Sequence, residues 1–278
     1  TYTINNGEMT NKGFEITLEG DLVKKKDYSF GGSFIAGYNK NKVTYVNVKA
    51  PVYYLALDYP ESYPRIGNPY NAIYGYKWAG LSTTGLPQIY NSKGEVISTQ
   101  PSDIESIVYL GTYTPVYNGS FSFNARYKNW TLYLQFNYEG GHKIRNTFVP
   151  ALSASYSSAL ASYVTSLSYR VNSKITDRWK QAGDETKTNV PRLVFEYDPS
   201  YSSYLYTIYS MADINVLDAD NLRLSNVSLS YKVPDLICKK IYMSGARLQF
   251  NIENAAMWAK SKEAKYMLGG YVKPNYVL

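Results

Sequence analysis

Between Gly119 and Gly141 the chain alternates with a period of two. Phe121, Phe123, Ala125 and Tyr127 are separated by Ser122, Asn124, Arg126 and Lys128. After a tight polar reversal, Trp130, Leu132, Leu134, Phe136 and Tyr138 are separated by Thr131, Tyr133, Gln135 and Asn137. Successive side chains of extended backbone point to opposite faces, so this pattern predicts an antiparallel hairpin with one apolar and one wet face. Each arm runs for about ten residues, has rings near its ends and sets amides and an Arg on the wet face, which is the pattern of a transmembrane barrel strand. Strands of a soluble sandwich are usually nearer five or six residues and richer in Val and Ile.

The same build recurs. Phe14, Ile16 and Leu18 alternate with Glu15, Thr17 and Glu19; Lys24 to Asp27 make a short turn; Tyr28, Phe30, Gly32, Phe34, Ala36 and Tyr38 mark the apolar face of the next strand. Beyond Leu222, the residues Val227, Leu229, Tyr231 and Val233 share one face, whereas Leu222 and Leu224 have the opposite phase. A bulge near Ser225 and Asn226 is therefore expected. Pro234 ends that strand, and a turn through Cys238 and Gly245 leads to Leu248, Phe250 and Ile252, which alternate with Arg247, Gln249, Asn251 and Glu253. The closing GGYVKPNYVL begins one more strand.

Two stretches break the alternation. From Thr44 to Thr112 aromatic residues mix with Pro and Gly, which predicts a long, ordered, functional loop. It has room for short strands around Tyr53 to Leu57 and Ile73 to Leu81, and barrel parity admits zero or two of them in the wall. From Gly140 to Ala219 runs a second excursion; its ITDRWKQAGDETKTNVPRL segment predicts a brief helix or turn that ends at Gly183. Long loops on one side and short turns on the other are the habit of outer-membrane barrels. The fold class is all-β, an antiparallel transmembrane β-barrel. A closed barrel leaves no edge unpaired in lipid, since each unmet backbone group costs several kcal/mol. Roughly six to eight strands are too few for such loops, so residues 1–278 are expected to be the C-terminal part of a larger barrel.

Composition sharpens this. Mean hydropathy is negative although 45% of residues are hydrophobic, and Tyr supplies 31 of them. No run of about eighteen apolar residues offers a membrane helix, whereas barrel strands average their hydropathy away. The formal charge of +7 is spread out, and its densest points, Lys24 to Lys26 and Lys239 with Lys240, fall in expected turns. Solvated turns, not nucleic acid, account for them. The one cysteine, Cys238, has no internal disulfide partner.

At this point the chain resembles the C-terminal half of the barrel of SusC/RagA-type TonB-dependent outer-membrane transporters of the Bacteroidetes. The resemblance runs through NNGEMTNKGFEITLEG at 5–20, YSFGGSFIAGYNKNKV at 28–43, IYGYKWAGLSTTGLPQIYNSKGE at 73–95 and YKNWTLYLQFNYEGGHKIRN at 127–146. It continues through DRWKQAGDETKTNVPRL at 177–193, DADNLRLSNVSLSYKVP at 218–234 and LQFNIENAAMWAKSK at 248–262. It implies a 22-stranded barrel with a plugged lumen and energy supplied from the inner membrane through TonB. It also implies a SusD-like surface lipoprotein as a lid, and an oligomeric nutrient, glycan or peptide, as cargo. The chain would be a multi-pass protein of the bacterial outer membrane. The family's plug, TonB box, carboxypeptidase-like extension and final Phe-ended strand do not match any part of these residues. The alternatives are a passive porin and a soluble Tyr-rich carbohydrate-binding β-sandwich.

Among chemical candidates, no catalytic set emerges and no enzyme is expected. His142, the single histidine, follows two glycines and reads as solvated or hydrogen-bonded. Glu15 with Glu19, and Asp184 with Glu185, are carboxylate pairs explained by strand alternation and by a loop. Asp213, Asp218 and Asp220 are calcium candidates without the glycine and distal glutamate of a calcium loop, so no cofactor is expected. The sequons at Asn118, Asn129 and Asn226 read as chance. The strongest functional signal is aromatic: Tyr53, Tyr54, Tyr59, Tyr63, Tyr70, Tyr74, Tyr76 and Trp78 are candidates for substrate or lid contact. The competing reading is that these rings pack the loops on one another and form the membrane girdle, to which Trp130 and Tyr138 are assigned. Asn124, Arg126, Gln135, Asn137, Arg247, Gln249 and Asn251 are expected to face the lumen.

Overall fold

The computed structural model describes residues 7–50, 57–147, 149–150, 153–154, 173–195, 197–202, 204–268 and 275–277. The chain opens with two long strands, β1 (Gly7–Lys24) and β2 (Tyr28–Val46). The first excursion holds β3 (Ala72–Leu81), β4 (Pro87–Tyr90), β5 (Val96–Ile97) and β6 (Ile107–Thr112). The central hairpin is β7 (Tyr117–Tyr127) and β8 (Trp130–Gly140). The second excursion carries β9 (Lys143–Arg145), β10 (Ser153–Ala154), β11 (Val194–Phe195), helix α1 (Tyr204–Ser210) and β12 (Val216–Asp218). Then come β13 (Asn221–Lys232), helix α2 (Asp235–Lys240), β14 (Arg247–Ala259), helix α3 (Lys262–Leu268) and β15 (Asn275–Val277).

The chain divides into two compact units. The wall unit comprises residues 9–42, 113–143 and 218–277; the loop unit comprises residues 7–8, 43–112 and 144–217.

The wall is one seven-stranded sheet in the order β1-β2-β7-β8-β13-β14-β15. It is an antiparallel meander, so the two long excursions leave from one end of the sheet and the short connections lie at the other. The expected bulge is present: register shifts between Leu224 and Asn226 against both neighbours, and the Ser225 hydroxyl donates to the Gln135 carbonyl at 3.0 Å. The extra residue turns Leu222 and Leu224 back to the face that holds Val227 and Leu229, since Leu224 pairs with Phe136 and Val227 with Leu134. That face stays bare: Phe14, Leu18, Phe34, Phe123 and Leu248 are all exposed.

Aromatic residues form rows along this face. Tyr28, Tyr127, Trp130 and Tyr231 pair in direct register across four strands near the short turns, with Trp130 and Tyr231 ring centroids 4.7 Å apart. Toward the other end Tyr38 pairs with Tyr117, and Tyr138, Leu222 and Trp258 share a rung nearby. Tyr28 and Tyr38 are ten residues apart. At about 3.3 Å per residue and a strand tilt of about 40°, that separation is about 25 Å across the sheet's long direction.

The loop unit has its own core, and its centre is β3. Ala72, Ile73, Tyr74, Gly75 and Tyr76 are all buried in succession. This is why alternation fades there: a strand covered on both faces has no wet side to mark with polar residues. β3 is flanked by β6 and β4 in a four-stranded sheet of order β5-β4-β3-β6. Leu57, Ile89, Ile107 and Ile208 complete the cluster around Tyr74 and Tyr76. The stretch 57–112 therefore adds no strand to the wall; β3 matches the expected strand at Ile73 to Leu81, and of the other, Tyr53 to Ala56 lie outside the described residues. Gly85 sits at φ +76, and a Cβ on it would run into the Trp179 ring. Only glycine meets both demands.

Three local expectations change. The connection after Pro234 contains a one-and-a-half-turn helix, α2, with Asp235 in its first turn, Lys239 and Lys240 in its last and Cys238 fully buried; the charges complement the helix dipole. Gly183 does not end a helix. It stands at φ +96 before a 3₁₀ turn at Asp184–Thr186, following another at Ser173–Asp177. Helix α1 was not anticipated; its sequence YLYTIYS is poor in strong helix formers, and burial of Leu205, Ile208 and Tyr209 holds it.

Candidate functional site

All seven residues expected to face the lumen fall on the face of the wall opposite the phenyl rings. The register makes this explicit. Asn124 pairs with Tyr133, Tyr133 with Ser228 and Ser228 with Asn251. One rung along, Ser122, Gln135, Asn226 and Glu253 align; another joins Arg126, Thr131, Ser230 and Gln249; Asn137 pairs with Arg223, and Arg247 with Lys232. The face is knitted by side-chain hydrogen bonds. Gln249 donates to Ser228 at 3.2 Å and to Asn251 at 3.0 Å, and Tyr133 donates to Gln135 at 3.3 Å. Arg126 is committed to structure, its guanidinium donating to the Lys25 and Lys26 carbonyls at 3.1 to 3.3 Å. Beyond it the face holds amides and hydroxyls together with Arg223, Lys232, Arg247 and Glu253.

The tyrosines of the first excursion divide. Tyr74 and Tyr76 are 1% and 0% exposed, so contact with substrate or a lid is withdrawn for both: they are the loop unit's core. Tyr74 accepts from Asn68 at 3.0 Å and lies under Arg65, whose guanidinium is 5.1 Å from the ring centroid. Burial pushes the Tyr74 phenol above its ordinary value. Trp78 is half-buried against Tyr209, centroids 5.7 Å apart, and its Nε1 donates to Asn189 at 3.1 Å. Tyr63 is half-buried, whereas Tyr59 and Tyr70 are exposed. Tyr53 and Tyr54 lie outside the described residues. Packing thus claims the rings on the strand, and contact remains open to those before it.

A second group of exposed rings escaped the sequence reading. Tyr197, Tyr201, Tyr204 and Tyr206 are exposed on the segment leading into and through α1. The density of Tyr in YDPSYSSYLYTIY was the available signal. This segment is anchored by Asp198, which accepts from Arg192 at 2.6 Å and from the Ser200 amide at 2.8 Å. The Arg192 hydrogen bond is the main reason its carboxyl falls to about 2. Behind these rings Tyr209 is buried, and burial pushes its phenol up to about 12.

The remaining candidates are accounted for by local bonding. Asp184 accepts from the Lys180 and Gln181 amides and Glu185 from the Trp179 indole and the Gly183 amide; the Lys180 amide foremost for Asp184, and its own backbone amide foremost for Glu185, hold the two carboxyls below their ordinary range. Asp218 is gripped by Lys260 and Lys143, each at 3.0 Å; Asp220 accepts from the Gly141 amide at 2.8 Å; Asp213 accepts from the Trp78 amide at 3.2 Å. Among the described residues no group of three acidic, His or Cys side chains has a metal-binding arrangement. His142 differs from expectation: it is 4% exposed and its Nδ1 has no hydrogen-bond partner. Burial pulls its pKa down from the ordinary value, against the opposing pull of Glu139 and Asp220. It is a core histidine, not a solvated one.

No protein-family model matches the chain. In sequence it is 23% identical over 270 residues to TonB-dependent receptor P3 of Formosa agariphila, an alignment that covers 90% of this chain and 24% of that protein. In structure it matches the RagAB peptide transporter with a TM-score of 0.66 at 22% identity, over 94% of this chain and 27% of that one. The RagAB peptide importer in its closed-closed state gives 0.64 at 23% identity over 94% and 27%, and in its open-open state 0.61 at 22% over 93% and 26%. The chain spans about a quarter of the length of these proteins. Among the described residues no helix is long and apolar enough to cross a membrane; an antiparallel sheet with one bare apolar face takes that role in a barrel. In fold, then, the chain is similar to about a quarter of the RagAB peptide transporter, and in sequence to about a quarter of a TonB-dependent receptor.

Proposed function

We propose that this chain supplies wall, lumen lining and external loops to a TonB-dependent importer that moves an oligomeric nutrient across the bacterial outer membrane. The observation that carries the reading is the two-faced sheet. Its apolar face is bounded by aromatic rows about 25 Å apart, the height of the apolar band of an outer-membrane barrel, and its other face is polar and hydrogen-bonded from β7 to β14. The exposed rings of the loop unit suit flat sugar faces or peptide side chains. Glycan is the first cargo considered; the RagAB neighbours are peptide importers, which brings peptide beside it. A SusD-like surface lipoprotein would close the site from outside, and a plug outside these residues would respond to TonB.

The test uses the complete natural protein extracted from the membrane. The expected result is a chain several times longer than 31.5 kDa that needs detergent and co-purifies with a surface lipoprotein. Deleting its gene should abolish growth on a single oligosaccharide or peptide source, and an uncoupler should stop uptake. Uptake that continues without energy would point to a passive porin. A folded, detergent-free monomer would overturn the membrane reading altogether.

A further inference from the structure

The bare face of the wall is not smooth. It carries a groove of about 390 Å³ between β1, β2 and β7, walled by Leu18, Leu22, Phe30, Phe34 and Phe123, with Gly20 and Gly32 among its lining residues. The depression follows from the period of two. Gly20 lies between Leu18 and Leu22, and Gly32 between Phe30 and Phe34, so each strand lacks a side chain between two large ones. The strands meet there: a Cβ on Gly31 would come 2.8 Å from the Gly20 carbonyl, and Gly32 pairs with Phe123.

Beside this groove the chain turns. Lys25 follows Leu22 by three residues, about 10 Å of extended chain. The turn end gathers Lys24, Lys25 and Lys26, joined by Arg126, whose guanidinium donates to the Lys25 and Lys26 carbonyls, and by Lys128, whose amide donates to the Asp27 carbonyl at 2.5 Å. Two acids oppose these five cations. Asp21 pairs with Lys24 at 3.1 Å, and Asp27 lies in the turn itself. Lys25 and Lys26 are exposed and have no ion pair among the described residues. An apolar slot within about 10 Å of extended chain of unneutralised lysines is complementary to an amphiphile with an anionic head.

We propose that this groove and turn bind one anionic phospholipid of the periplasmic leaflet, an acyl chain in the groove between Leu18, Leu22, Phe30 and Phe34, its phosphate at Lys25 and Lys26. The proposal rests on the membrane reading above, with short turns on the periplasmic side. Basic groups at a membrane surface favour anionic headgroups by about 1 kcal/mol each. Two free lysines therefore correspond to roughly a tenfold or greater preference over a zwitterionic lipid of the same chains.

Native mass spectrometry of the full-length protein in detergent, titrated with phosphatidylglycerol, phosphatidylcholine of identical chains and lipid A, tests this. The natural protein should retain phosphatidylglycerol at least about tenfold better than phosphatidylcholine. Lys25→Glu with Lys26→Glu should level the two. Gly20→Phe should lower retention of both; a Cβ on Gly20 meets nothing within 4 Å, so the ring fills the groove without a backbone clash. Lys239→Glu with Lys240→Glu, an exposed pair on α2, should leave the preference intact. Equal retention by the natural protein, loss of preference in the α2 variant, or displacement by lipid A would each overturn the proposal. A protein that stays folded without detergent would remove the membrane reading beneath it, a result distinct from a membrane protein without lipid preference.

Discussion

Replacing Leu18 by Arg puts the membrane-facing assignment to a quantitative test. Leu18 is 61% exposed and shares its groove with Phe34 and Phe123. Phe34 pairs with Phe121 about midway between the Tyr28 and Tyr38 rungs, so Leu18 lies near the middle of the apolar band. If that face met water, Arg would be solvated through the exposed part, and only the smaller covered part of the leucine would be lost, about 1 kcal/mol or less. Against hydrocarbon, a guanidinium near the midplane costs a further 2–4 kcal/mol or about that. Thr17 is the internal control: it precedes Leu18, points to the polar face and is exposed, so Thr17→Arg should stay within about 0.5 kcal/mol. The assay is urea-driven equilibrium folding of the full-length protein in phosphatidylcholine bilayers, read by the mobility difference between heated and unheated samples. A gap of about 3 kcal/mol between the variants lowers the folded-to-unfolded ratio more than a hundredfold. A gap of about 1 kcal/mol or less would refute the lipid-facing assignment of β1.

Four further outcomes are expected. Ile89→Ala empties a fully buried site of the loop-unit core and should cost about 2–5 kcal/mol, seen as rapid proteolysis within 72–112 while the wall keeps its heat-modifiable mobility. Gly85→Ala combines φ +76 with the Trp179 clash, whereas Gly94→Ala meets only φ +79 in open space; limited proteolysis should find the Gly85 variant the less stable by about 1–3 kcal/mol. The Asp198 carboxyl is depressed to about 2, so the stability it lends is present above the unfolded carboxylate range near pH 4 and is lost as pH falls toward 2; in Asp198→Asn, cleavage of 192–206 should already be fast at neutral pH. His142 is held neutral by burial, so the unfolded chain binds a proton that the folded one refuses. Stability should fall as pH drops below about 6.5, and His142→Gln should flatten that slope in chemical denaturation.

The wall was legible because its two environments differ uniformly along its whole height. A period of two placed all seven polar candidates on one face, and a single change of phase located the Ser225 bulge. The aromatic rows were half visible. Trp130 and Tyr138 stood out at the ends of one hairpin, but only the register joins Trp130 to Tyr127, Tyr28 and Tyr231. Helix α2 had its signal as well: Pro234, an acid at Asp235 and two lysines a turn later fit a short helix start and end, which a turn reading passed over.

The loop unit was not legible in the same way, and the reason is physical. Alternation reports a boundary between two media, and β3 has none, since β4, β6 and α1 enclose it within one core. A tyrosine there has the same appearance in sequence as one in solvent: Tyr74 and Tyr70 lie four residues apart, one buried under Arg65 and Asn68, the other 39% exposed. What separates them is pairing distant in sequence, such as Tyr74 with Tyr109 in the ladder and Tyr76 with the Met211 carbonyl at 3.0 Å. In this chain, therefore, composition can mark a loop as aromatic, but only the fold of the loop decides which rings are scaffold. The rings left exposed are Tyr59, Tyr70 and those of the Tyr197–Tyr206 segment, where Arg192 and Asp198 pair at 2.6 Å.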